Sequence, residues 1–158
     1  KLADLAIHGN QSLKQSGPHS LNDFIRQYID AGFAIEGLKY ELVQDNRAFD
    51  CKFDSSSIGI IIDNIASNSV KAGATILQIS LEESGKYVEI AFSDNGIGLA
   101  ENINPQSLFE WGFSSNRKKK GYGIGLYHIK QLVEEMNGTV EIDTTYHHGF
   151  KLIVRLKK

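Results

Sequence analysis

The stretch from residue 93 to residue 123 does most to limit the folds open to this chain. It is rich in Gly, Asn, Ser and Lys, and it separates two blocks of regular apolar pattern. Segments this long without regular structure are uncommon in compact domains and are usually functional where they occur. Two glycine groups bracket it: Asp94-Asn95-Gly96-Ile97-Gly98 after a β-like run, and Gly121-Tyr122-Gly123-Ile124-Gly125-Leu126 before a helix-like one. The remainder must then supply a core, and a chain of 158 residues with 41% hydrophobic residues can do so as one domain.

The apolar periodicity predicts a helix after Ser20 carrying Leu21, Phe24, Ile25, Tyr28 and Ile29, fading near Gly32 to Gly37. Two β segments are expected at 39–44 and 48–53 with a turn at Asp45-Asn46. Asp54-Ser55-Ser56-Ser57 offers caps for an isoleucine-rich helix over 58–72, with Gly73 as its stop. Strands follow at 75–81 and 87–92, a short helical piece near 106–111, a helix over 124–136 ended by Asn137-Gly138, and strands at 139–144 and 150–156. Residues 1–16 read as a short helical tail with Leu2, Leu5 and Leu13. Helices with a meander of strands predict an α+β sandwich, with helices on one face of a mixed sheet.

Several function classes drop out. Lys and Arg number 17 against 19 Asp and Glu, a net charge of −2, which argues against nucleic-acid binding through bulk positive potential. Cys51 is the sole cysteine, so an internal disulfide and a multi-cysteine zinc site are excluded, and a reducing compartment is suited. No apolar run approaches the roughly 20 residues that span a bilayer, and no basic-then-apolar leader opens the chain. The chain begins at Lys1 rather than Met, and the expectation is a piece of a longer, cytoplasmic or membrane-anchored protein.

Three groups carry candidate chemistry. Asn64 and Asn68 stand four apart on the apolar helix, on one face, with Lys71 on the same side. An amide oxygen is a hard ligand suited to Mg²⁺ and an ammonium suits phosphate, although the same residues could form only the wet face of an amphipathic helix. Asp94 at a strand end can accept hydrogen bonds from a ligand amino group, and Gly96 and Gly98 permit close approach to a flat ring; a plain D-N-G turn is the alternative. The group 121–126 opens a helix, whose free N–H groups attract anions. A Rossmann site is rejected because these glycines follow a loop rather than a strand, and a Walker A loop because no Gly-Lys-Ser/Thr follows. Between the glycine groups, Phe109, Trp111 and Phe113 could anchor a loop, and the run Arg117 to Lys120 could reach phosphate or simply be solvated.

Taken in order, Asn64-x-x-x-Asn68-x-x-Lys71, Asp94-x-Gly96-x-Gly98, Phe109-x-x-x-Phe113 and Gly121-x-Gly123-x-Gly125 resemble the N, G1, F and G2 boxes of the GHKL ATP-binding fold, also called the Bergerat fold. The first box is most similar to that of sensor histidine kinases, and the resemblance runs from about Ser55 to Leu156. It implies a two-layer α/β sandwich on a mixed, mostly antiparallel sheet, with ATP and Mg²⁺ as cofactors. Residues 18–158 would be the ATP-binding catalytic domain, and residues 1–17 the end of a dimerisation helix. By the same resemblance Asp94 would bind the adenine amino group, with Gly96 and Gly98 shaping its pocket. Asn68 would ligate Mg²⁺, and Asn64 and Lys71 would be the candidate catalytic residues on the phosphate side. Lys120, Gly121, Gly123, Ile124, Gly125 and Leu126 would border the triphosphate, and Phe109 and Phe113 would brace a lid.

Hydrolase branches of that fold resemble one another in a general-base Glu at the position of Asn64, and an amide cannot serve so. A histidine kinase that delivers phosphate to an outside His is therefore expected, with an ATP-gated clamp or a degenerate binding module as alternatives. His8 is followed by Gly9 and His19 by Ser20, neither matching the family's acceptor motif. The expected partners are a separate dimerisation and phosphoacceptor domain and a downstream response regulator, with neither nucleic acid nor membrane contacted by this chain.

Overall fold

The computed structural model describes residues 20–31, 35–43, 47–111 and 125–158. The helical tail expected at 1–16 lies outside the described residues, as do Phe113, Lys120, Gly121, Gly123 and Ile124. The elements in chain order are α1 (Leu21–Asp30), β1 (Lys39–Val43), α2 (Ser55–Lys71), β2 (Ile76–Ser84), β3 (Tyr87–Asp94), a 3₁₀ turn (Pro105–Phe109), α3 (Gly125–Glu135), β4 (Thr139–Ile142) and β5 (Lys151–Lys157).

These strands form one sheet in the order β1-β2-β3-β5-β4. β1 runs parallel to β2 and every other pair is antiparallel, giving the mixed, mostly antiparallel sheet that was expected. Alternation sends Leu77, Ile79 and Leu81 of β2, Val88, Ile90 and Phe92 of β3, and Leu152, Val154 and Leu156 of β5 to one face. There they meet Leu21, Phe24 and Ile25 of α1, Ile58, Ile61, Ile62 and Ile65 of α2, and Ile129 and Val133 of α3 in a single core. On the other face Arg155 bridges Glu89 at 2.9 Å and Glu141 at 2.8 Å, a polar pattern suited to water. β2 and β3 run further than the apolar pattern suggested, because Ser84 pairs with Tyr87 across a two-residue turn. Gly85 supplies the positive φ of 60° that such a turn needs.

The strand expected at 48–53 does not form. Around Phe49 its backbone groups are taken by α1, and a single bond, Lys52 N–H to the Lys157 carbonyl at 3.3 Å, reaches β5 without forming a ladder. The Phe49 carbonyl accepts from the first helical N–H, that of Leu21, at 2.9 Å. The buried Asn22 side chain accepts from Phe49 N–H at 3.0 Å and donates to the Arg47 carbonyl at 3.2 Å. Ser20 precedes α1 as expected, but its hydroxyl donates to Asp23 at 2.6 Å and accepts no helical N–H. Phe49 thus does the capping.

α2 and α3 end alike. In α2, Gly73 has φ 76° and its N–H reaches the Val70 carbonyl, while Ala74 N–H reaches the Ser69 carbonyl at 2.9 Å. In α3, Asn137 has φ 57°, with Asn137 N–H on Glu134 and Gly138 N–H on Val133. Both are Schellman endings, which satisfy the last carbonyls and turn the chain into the next strand. α2 starts three residues earlier than the apolar run implied, because Asp54 Oδ2 accepts from Ser57 N–H at 2.8 Å and its Oγ at 2.7 Å.

Candidate nucleotide site

Asp94 is the last residue of β3 and is 4% exposed. The end of α2, the turn after β3 and the β4–β5 loop all converge on it. Its Oδ1 accepts from Gly96 N–H and from Phe150 N–H, each at 3.0 Å. Its Oδ2 accepts from the Ser69 hydroxyl at 2.8 Å. Its backbone N–H donates to the Phe150 carbonyl at 2.9 Å, and its carbonyl accepts from Tyr146 Oη at 3.0 Å. A carboxylate has about four acceptor positions. Among the described residues three are filled, and the fourth lies on Oδ2. Burial, and then the Asp94 charge, push the Tyr146 phenol above its ordinary pKa, so it remains a donor at neutral pH.

The turn after Asp94 is fastened to α2. Ile97 N–H donates to the Ala72 carbonyl at 3.0 Å. Asn95 Oδ1 accepts from the N–H groups of Thr75 and Ile76 at 2.8 and 3.0 Å, and its amide donates to Thr75 Oγ1. The glycines are needed for close approach. A Cβ on Gly96 would stand 2.8 Å from the Ala72 carbonyl oxygen, and one on Gly98, whose φ is 71°, would stand 2.7 Å from that of Gly149. Asp94-Asn95-Gly96 is therefore a fastened turn that also carries a buried acceptor.

Asn64 and Asn68 are half-buried on α2 and face the first residue of α3. A Cβ on Gly125 would lie 3.5 Å from Asn64 Oδ1 and 3.5 Å from Asn68 Nδ2. They are not a free wet face, since α2 and α3 pack together here. Lys71 ends α2 on its exposed side, and Leu126 packs partly buried against the core. Phe109 is buried, with Lys130 of α3 5.9 Å above its ring. Ser69 sits between the two groups, adjacent to Asn68 in sequence and bonded to Asp94 in space.

A separate open cavity of about 310 Å³ lies between the glycine turn and the β4–β5 loop, lined by Leu99, Ile103, Tyr146 and Phe150 among others. Of the expected site residues that are described, Gly98 alone lines it.

The residues missed in the sequence are Ser69, Tyr146, Gly149 and Phe150. A Cβ on Gly149 would fall 2.0 Å from the Asp94 carbonyl oxygen, so no larger residue fits without the loop moving. Gly149 follows two histidines in a polar loop, and only the fold reveals what it touches. Among the described residues no group of His, Cys, Asp or Glu could hold a metal by itself.

A buried acceptor beneath a fastened glycine turn, beside two amides aimed at a helix start, describes a nucleotide-binding α/β sandwich. Residues 53–158 match the family described as histidine kinase-, DNA gyrase B-, and HSP90-like ATPase, and the chain belongs to that family. It is 34% identical over 102 residues to the sensor-type histidine kinase PrrB of Mycobacterium tuberculosis, covering 64% of this chain and 23% of PrrB. It is 30% identical over 112 residues to a probable C4-dicarboxylate sensor kinase of Bacillus subtilis, covering 66% and 21%. The chain thus spans between 21% and 23% of the length of these two relatives. The crystal structure of the ATP-binding domain of the M. tuberculosis PrrB matches with TM-score 0.69 at 29% identity, over 87% of this chain and 93% of that one. The catalytic domain of histidine kinase ThkA matches with TM-score 0.71 at 18% identity, over 88% and 93%, a likeness of fold. The chain is therefore an ATP-binding domain with the fold of histidine kinase catalytic domains. Among the described residues no helix is long and apolar enough to cross a membrane.

Proposed function

We propose that residues 18–158 are the catalytic domain of a sensor histidine kinase, which holds ATP and passes its γ-phosphoryl group to a histidine on a separate dimerisation domain, from which a response regulator takes it. Residues 1–17 would be the end of a dimerisation helix. The observation that carries this reading is Asn64. It faces the start of α3, and its amide cannot take a proton from water at neutral pH. The adjacent carboxylate, Asp63, sits about 100° further round the helix. It accepts the Tyr28 phenol at 2.7 Å on the α1 side. Water is thereby left unactivated, and the γ-phosphoryl group awaits a better nucleophile.

In this reading Asp94 Oδ2 accepts the adenine amino group, with Gly96 and Gly98 beside the ring. Asn64 and Lys71 steady the phosphates. The backbone N–H groups of Gly121, Gly123 and Gly125 would meet the triphosphate, and the dipole at the start of α3 favours negative charge. Leu126 stands behind the phosphates, Lys120 and Ile124 border them, and Phe109 and Phe113 brace the lid. The donor set fits a Mg²⁺ ion that shares its coordination with phosphate oxygens, because one amide oxygen, that of Asn68, is a hard ligand but no cage. Bound there, Mg²⁺ neutralises charge on the triphosphate. ATP as substrate puts this domain in the cytoplasm, whether or not the whole protein is anchored in a membrane.

The test adds a dimerisation domain carrying the acceptor histidine to this chain and Mg-ATP. Acid-labile phosphate on the added domain is expected. Sustained phosphate release with the chain alone would overturn the reading in favour of a hydrolase.

A further inference from the structure

Resting on the assignment of Asp94 to the purine, we infer that Ser69 is a positioning residue, whose hydroxyl fixes the free acceptor position of Asp94 Oδ2 so that the site takes a 6-amino purine and rejects a 6-oxo purine. The terminal torsion of an aspartate is soft and roughly two-fold, so a carboxylate held at one oxygen alone can swing. Gly96 and Phe150 hold Oδ1. Among the described residues Ser69 alone holds Oδ2, at 2.8 Å.

Ser69 is itself well anchored. It is 1% exposed, and its carbonyl accepts from Ala72 N–H at 3.1 Å and Ala74 N–H at 2.9 Å in the Schellman ending of α2. Its hydroxyl proton is committed to a group that only accepts, so its oxygen can act toward a ligand only as an acceptor. Two acceptors side by side suit the exocyclic amine of adenine. A carbonyl at the same ring position would bring lone pairs against lone pairs, and an unpaired buried acceptor costs the site heavily. With Ser69 gone, Oδ2 can swing toward the ring N–H that a 6-oxo purine offers.

The experiment titrates the 158-residue chain with ADP and with its 6-oxo counterpart IDP, as wild type, Ser69→Ala and Ser69→Thr, with melting of each nucleotide-free protein as a fold control. Wild type is expected to prefer ADP. Ser69→Ala should weaken ADP about tenfold, the scale of one charge-assisted hydrogen bond, while IDP changes less than about threefold, and Ser69→Thr should restore the preference. A merely structural role would weaken both nucleotides alike. Equal weakening of both, an unchanged ADP affinity, or a wild type without preference would overturn the inference. A wild type that binds neither nucleotide would instead overturn the nucleotide reading beneath it, and this assignment with it.

Discussion

Asp94 gathers five hydrogen bonds from residues as distant in sequence as Ser69, Tyr146 and Phe150. A carboxylate so held is costly to bury unless each bond is made, and it presents one remaining acceptor. Asp94→Asn would place an amide donor where acceptors are required, both against its own N–H partners and against the purine amine. ATP affinity should fall about 100-fold by calorimetry; unchanged affinity would remove Asp94 from the site. Gly149→Ala should lower unfolding stability by about 2–3 kcal/mol in a denaturant titration, since its methyl would overlap the Asp94 carbonyl. A neutral substitution would show that the β4–β5 loop yields freely. Asp94, Asn64 and Asn68 were legible in the sequence, because residue type and local spacing suffice to suggest them. Ser69, Tyr146 and Gly149 were not, because their meaning lies in contacts 25 to 56 residues away.

α2 is the element on which both halves of the site depend. Its cap, its C-terminal glycine and its amide pair all follow from local rules and were readable. The extended segment 48–53 reads as a strand because its alternation is genuine, but Phe49 bonds the Asn22 side chain and the first N–H of α1, and one bond to β5, Lys52 N–H to the Lys157 carbonyl at 3.3 Å, makes no ladder. Asp54→Ala should cost about 1 kcal/mol of unfolding free energy, the usual worth of an N-cap. The far side of α2 carries a pH-dependent term. Burial raises the Asp63 carboxyl above its usual 3.8, against a smaller lowering by the Tyr28 hydroxyl. The native state then binds this proton more tightly than the unfolded chain, so its contribution to stability is complete below 3.8 and is lost as pH rises through the raised value. Wild type should therefore lose stability relative to Asp63→Asn as pH rises over that window in pH-resolved melting. A difference that is flat, or that grows in favour of wild type, would refute this.

Over the whole molecule, the mixed sheet and its single helix layer were legible from the order of periodicities. The parallel entry of β1 beside β2 was not, since its register depends on pairing across 37 residues, Lys39 with Ile76. The layer brings the amides of α2 against the start of α3 and aligns Ser69 with the end of β3, so that in the proposed reading one helix would serve a purine end and a phosphate end. A module so built, with an amide where a hydrolase would need a base, should hold ATP and wait.

Calorimetric titration of Mg-ATP into this chain tests that claim most directly. Saturable single-site heat that returns to baseline is the predicted result. Heat that continues at a steady rate would mean that water is the acceptor, and would contradict the account.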